Sequence, residues 1–132
     1  MPKGAVHADA FRNNVMFVDN QLSGVFDFYF AGVDSWLFDL GVCLNDWCID
    51  LASGAFDADR LSAMLQGYEE IRPLSGAERV LCNPMLRAAA LRFWISRLWD
   101  FHLPREASLL QAHDPGHFER VLLERLHNPV TL

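Results

Sequence analysis

His7-Ala8-Asp9-Ala10-Phe11-Arg12-Asn13-Asn14, followed after a short β-rich interval by Val25-Phe26-Asp27-Phe28-Tyr29, is the stretch from which the rest of this chain is read. The pattern His-x-Asp-x-x-x-x-Asn puts one carboxylate where it can accept a proton from a hydroxyl nucleophile. Five residues later a side-chain amide stands ready to hold a metal ion, and Asp27 beyond the next strand supplies a second oxygen ligand. A base and two hard oxygen ligands on one short segment meet the two demands of phosphoryl transfer, which are positioning a nucleophile and neutralising phosphate charge.

Each member has a bland reading. Asp9 alone reads more readily as a turn or cap residue than as a base, and Asn14 reads as a loop terminator. The joint spacing carries the functional reading, because turn chemistry does not predict it. Asp27 sits between Phe26 and Phe28, where an unpaired carboxylate would cost several kcal/mol, on the order of ~3 or more, unless a cation compensates it. A magnesium ion would do so. His7 joins Asp9 in the catalytic set, with the role of fixing the loop by hydrogen bonds rather than moving a proton. Asp39, in Phe38-Asp39-Leu40-Gly41, is either an acceptor bracing the loop from behind or a solvated helix charge.

Outward from that centre, Val15–Val18 and Leu22–Phe28 read as two strands around the turn Asp19-Asn20-Gln21. Asp34 is expected to cap a helix from about Ser35 to Ala52, with Trp36, Leu37, Leu40, Leu44, Trp47, Cys48 and Leu51 on its apolar face. Asp57 opens a second helix that must stop near Arg72, because Pro73 follows. Ser75-Gly76-Ala77-Glu78 has the spacing of a capping box for a third. Pro84 predicts a break or kink, Met85–Phe101 a strong helix, and Asp114-Pro115 the start of the last one. The expected order is a hairpin followed by four or five helices: a catalytic loop and metal-binding hairpin over 1–30, and a helical subdomain over 34–127. The connections at 53–56, 72–75 and 103–113 have ordinary lengths.

Composition narrows the partners. The chain has 132 residues, enough for one domain or a piece of one. Its residues are 52% hydrophobic with ten Phe and four Trp, so part of the apolar excess is available for a face beyond the core. A formal charge of -6 disfavours nucleic acid and anionic lipid. No apolar run approaches the ~20 residues of a membrane span, and no cationic leader precedes one, which predicts a soluble, untargeted protein. Cys43, Cys48 and Cys82 sit in apolar helical patterns and read as small buried thiols in a reducing cytoplasm. His113 and His117 straddle Asp114-Pro115-Gly116, a loop and cap rather than a zinc site. Arg87, Arg92 and Arg97 recur every five residues, which rotates them around their helix as salt-bridging or snorkelling side chains. Gly-x-Ser-x-Gly, Gly-x-Gly-x-x-Gly and P-loop patterns are absent, so hydrolase, Rossmann and P-loop readings have no support.

The catalytic-loop run, Phe26-Asp27-Phe28-Tyr29-Phe30-Ala31 and Phe38-Asp39-Leu40 together resemble the aminoglycoside phosphotransferase and choline kinase group of small-molecule kinases. Asn45-Asp46-Trp47-Cys48, Arg72-Pro73-Leu74 and the run from Leu86 to Leu98 resemble the bacterial homoserine kinase branch of that group. The resemblance covers nearly the whole chain. It implies a mainly α chain with a small β-hairpin, the C-terminal lobe of a protein-kinase-like fold whose N-terminal lobe is missing. It implies transfer of the γ-phosphate of ATP to the hydroxyl of homoserine, a step of threonine biosynthesis. By position, Asp9 would be the base, Asn14 and Asp27 the magnesium ligands, and His7 and Asp39 the supports of the loop. Arg12, Asp34, Asp46 and Trp47 are the candidates for holding the amino-acid acceptor, and no nucleotide-binding residue beyond the metal ligands is expected here. Asn13 departs from the pattern, which usually has Asp there. Without the lobe that clamps the nucleotide, the piece is expected to be inactive alone and to self-associate through its exposed face. The alternatives are a choline, ethanolamine or aminoglycoside-type kinase, or a non-catalytic helical module acting through a partner.

Overall fold

The computed structural model describes residues 1–103 and 113–131. The protein is mostly helical with two small sheets. Strand β1 (Lys3–Val6) leads into the 7–14 loop, which ends in a 3-10 turn at Arg12–Asn14. β2 (Val15–Val18) and β3 (Gln21–Val25) then form an antiparallel hairpin. Its two-residue turn, Asp19-Asn20, has positive φ at both positions (48° and 61°), the backbone twist that short hairpins favour in these residue types.

Three expectations about the first third change. The second strand stops at Val25 rather than Phe28, because the chain turns left-handed at Asp27 (φ 59°) into a 3-10 turn at Phe28–Phe30. A second antiparallel pair joins β1 to β4 (Gly32–Ser35), with Lys3 opposite Ser35 and Val6 opposite Gly32. These strands are too short and too plain in composition to announce themselves, and their pairing depends on a contact between distant parts of the chain. Finally, Asp34 lies within β4, and Ser35 occupies the cap position before α1 (Trp36–Trp47). Asp34 Oδ1 accepts from the Ser35 N–H at 2.7 Å.

α1 ends at Trp47, a turn and a half before the expected Ala52. There the chain leaves the helix to bridge Ile49 with Phe56, closing a tight loop through Gly54 at φ +77°. α2 (Ala58–Ile71) starts and stops as its signals predict: the Asp57 side chain accepts from the Arg60 N–H, and the helix ends before Pro73. α3 (Gly76–His102) carries the predicted capping box, with Ser75 and Glu78 bonded reciprocally. Of the break or kink expected at Pro84, the break does not occur: α3 continues through it as one helix. The carbonyl that Pro84 leaves without a donor belongs to Val80, which is exposed, so water can satisfy it. Asp114 Oδ1 accepts from the Gly116 N–H at the start of α4 (Gly116–His127). Most of the expected 103–113 connection lies outside the described residues.

The core lies where α1, α3 and α4 meet. Val42, Ile49, Ala89, Ala90, Phe93, Phe118 and Val121 pack there, and Phe11 of the loop joins them. A second cluster of Leu37, Leu40, Leu44, Cys82 and Leu86 continues between α1 and α3 under α2. The apolar stripe of α1 therefore buries against α3, and the hairpin is left largely exposed: Met16, Phe17, Val18 and Leu22 are each more than half accessible. No described helix is long and apolar enough to cross a membrane.

Candidate active site

The 7–14 loop is held from three sides. Phe11 anchors it, with its ring 4.5 Å from Phe93 and 5.6 Å from Phe118. From α1, Asp39 reaches under the loop, accepting from the Ala8 N–H at 2.6 Å and the His7 N–H at 3.3 Å. Asp39 thus takes the bracing position rather than that of a solvated helix charge. Ala8 itself is buried and left-handed (φ 62°), so the loop reverses at a residue that disfavours this conformation.

His7 is fully engaged. Its Nε2 lies 2.8 Å from the Phe26 carbonyl, and its Nδ1 accepts from the Asp9 N–H at 3.2 Å. A carbonyl can only accept and an amide N–H only donate, so these partners select the tautomer with its proton on Nε2. Both ring nitrogens are occupied in tying the two motif segments together.

Asp9 and Asn14 are brought together. Asn14 Nδ2 donates to the Asp9 carbonyl at 2.7 Å and to Asp9 Oδ2 at 3.2 Å. Burial pushes the Asp9 carboxyl above the ordinary Asp range; Arg92 opposes the shift and Asp27 adds to it. A carboxylate raised in this way is a stronger proton acceptor once ionised.

Asp27 is exposed at its left-handed turn, so the desolvation argument drawn from its aromatic neighbours does not apply. Phe26 and Phe28 point their surface to solvent as well. For a magnesium ion the donor set fits: both Asn14 amide hydrogen bonds run to Asp9, and its Oδ1 receives none among the described residues. Asp27, whose charge acts on Asp9, is the second oxygen expected beside it, and magnesium takes few protein oxygens beside phosphate and water. Among the described residues no group of three or more His, Cys, Asp or Glu side chains is arranged to hold a metal.

The four acceptor-pocket candidates have the following surroundings. Arg12 and Asp46 bond each other, through Nε at 3.1 Å and Nη2 at 3.2 Å, and Asp46 also accepts from the Arg12 N–H at 2.7 Å. They lock the 3-10 turn to α1. Trp47 Nε1 donates to the Ala10 carbonyl at 2.9 Å. Asp34 stands exposed on β4. Asn13 is exposed beside the buried Asn14.

Sequence reasoning missed Arg92 and Arg97. Both are half-buried on α3 and direct positive charge at Asp9. Their spacing only says that they point in different directions, and the fold decides which direction meets the loop. The thiols are passive: burial raises Cys43 to about 12 and Cys48 and Cys82 to about 11. A groove of about 710 Å³ runs along α2 past Leu61, Leu65 and Glu69, and contains no residue of the catalytic loop.

Residues 1–74, which contain the whole constellation, match the family described as APH, phosphotransferase enzyme family. The chain belongs to this phosphotransferase family. Among its relatives are homoserine kinases from Polaromonas naphthalenivorans, 61% identical over 132 residues, and Ralstonia nicotianae, 61% identical over 132 residues. A third, from a Janthinobacterium species, is 58% identical over 126 residues. The matches cover 100%, 96% and 96% of this chain but 42%, 40% and 39% of the relatives. This phosphotransferase chain therefore spans about two-fifths of the length of the curated relatives it matches.

Proposed function

We propose that this chain carries the catalytic loop of an ATP-dependent homoserine kinase, forming O-phosphohomoserine for threonine biosynthesis. The observation that carries the reading is the Asp9–Asn14 pair, braced by His7 and Asp39, in a chain 61% identical to a protein named homoserine kinase. The fold on this reading is the C-terminal lobe of a protein-kinase-like enzyme working in the cytoplasm.

In the reaction, Asp9 accepts the proton of the homoserine hydroxyl as that oxygen forms its bond to the γ-phosphorus of ATP. The bond from the γ-phosphorus to the bridging oxygen breaks, and ADP leaves with the electron pair. Asn14 Oδ1 and Asp27 are the residues that would hold magnesium, which would offset the negative charge of the phosphates. His7 and Asp39 keep the Asp9 carboxyl aimed while Asn14 restrains one of its oxygens. Asp34, Trp47, Arg12 and Asp46 are the candidates for the acceptor side, the last three acting through the loop they hold.

Lys3, the one lysine of the sequence, is exposed on β1 opposite Ser35. On this reading Lys3 is not the phosphate-gripping lysine of a kinase-like site, and the chain is expected to be inactive alone. A phosphotransfer assay with ATP, magnesium and homoserine tests the reading. It compares the chain alone with a fusion to the complementary part of the Polaromonas naphthalenivorans relative. Activity is expected in the fusion only, falling about a thousandfold or more in Asp9→Asn. No turnover of homoserine in a folded fusion overturns the assignment, and turnover of choline or an aminoglycoside instead transfers it to another acceptor alcohol.

A further inference from the structure

The Ala8 peptide is the sharpest feature of the loop, and two distant elements grip it from opposite sides. Its N–H is held by Asp39 from α1 at 2.6 Å, and its carbonyl accepts from Arg92 Nη1 of α3 at 3.0 Å. We infer that Arg92 is a positioning residue for the phosphotransfer: its guanidinium holds the left-handed Ala8 turn closed, and so sets where the Asp9 carboxyl stands. The inference rests on the kinase reading above for its catalytic consequence, but the hold on Ala8 stands on geometry alone.

Three observations support it. Ala8 has φ 62° without being glycine, a conformation that persists only when its surroundings impose it. Arg92 is aimed by aromatic rings, lying 4.4 Å from the Phe93 centroid, 4.7 Å from Phe30 and 5.9 Å from Phe38. Those contacts suit the flat face of a guanidinium and leave its edge for the carbonyl. The ring of Phe30 follows Asp27 by three residues, so the same side chain also touches the segment that carries the second proposed metal ligand.

The test measures amide hydrogen exchange at Ala8 and Asp9 in the 132-residue chain, for wild type, Arg92→Met and Arg92→Lys. Methionine keeps the apolar stem without the donor, and lysine restores a donor. Exchange at Ala8 is expected to quicken about tenfold or more in Arg92→Met and to recover in part in Arg92→Lys, with Val42 and Ala90 unchanged. Equal protection of Ala8 in all three proteins, or a uniform loss across the core amides, overturns the inference. In the active fusion, Arg92→Met is expected to lower kcat about tenfold or more at unchanged KM for ATP, and Arg92→Lys to restore most of it. A kcat within twofold of wild type overturns the catalytic half. A wild-type fusion without any turnover overturns the kinase reading instead, and Ala8 exchange still decides whether Arg92 holds the loop.

Discussion

At the scale of single residues, buried polar groups show how the site is supported. Arg125 is 1% exposed, with burial lowering it to about 10. It donates to Asn45 Oδ1 and to the Gly54 carbonyl, both at 3.0 Å, and stacks 3.4 Å from the Phe56 centroid. α4, α1 and the loop after α1 are thereby joined through one side chain. Gly54 is required there twice over: its φ is +77°, and a Cβ would lie 3.1 Å from the Val121 backbone nitrogen. Gly54→Ala is expected to destabilise the fold by about 2 kcal/mol, and thermal or urea unfolding measures it. An unchanged midpoint would show that the loop can shift without cost. A glycine between Ser53 and Ala55 reads from sequence as a loop; the positive φ and the nearby Val121 backbone show why glycine suits this position.

At the scale of elements, the start of α3 combines a capping box with a buried ion pair. Glu78 is fully buried and accepts from the Ser75 N–H and hydroxyl, while Arg72 donates to it at 2.5 and 3.2 Å. Arg72 is itself flanked by Trp36 and Tyr68. The Arg72 guanidinium, with help from Ser75, lowers Glu78 to about 2, below the ordinary 4.5. Because the folded value is the lower one, this stabilisation is fully present above about pH 4.5 and is lost as pH falls toward 2. Glu78→Gln is expected to cost about 2–3 kcal/mol at pH 7, and the gap from wild type to close between pH 4.5 and 2. Urea unfolding across that range checks it; a gap that does not vary with pH would mean that packing, not charge, dominates. The capping box was legible because it is a local pattern. The Arg72 fork was not, since it needs the turn after α2 to fold back. The continuity of α3 through Pro84 was equally hidden, since a proline inside a helical pattern by itself predicts a break or kink.

At the scale of the whole molecule, the hairpin and the turn after it leave a set of large apolar side chains exposed outside the core. Phe17 touches Trp47 edge-on with ring centroids 6.1 Å apart, but Val18, Leu22, Phe28 and Tyr29 are open. A two-stranded hairpin with such a face is marginal in water without a cover. The 132-residue chain is expected to self-associate, with a light-scattering mass above the monomer at about 100 µM, and Phe17→Ser with Leu22→Ser to reduce it. A monomer at every concentration would count against this surface as a contact face. The sequence by itself determined what depends on neighbours along the chain: the order of helices, the caps at Asp57 and Ser75, the hairpin turn, and the five-residue spacing that lets Asn14 reach back to Asp9. Tertiary structure alone decided what depends on distant segments meeting. It paired β1 with β4, saturated Arg12 with Asp46, left Asp27 in water, and brought Arg92 from 84 residues away onto the Ala8 carbonyl. The physical reason is the range of the forces: turn and helix preferences act over a few residues, whereas an ion pair or a gripped carbonyl exists only once the core has brought its two halves together.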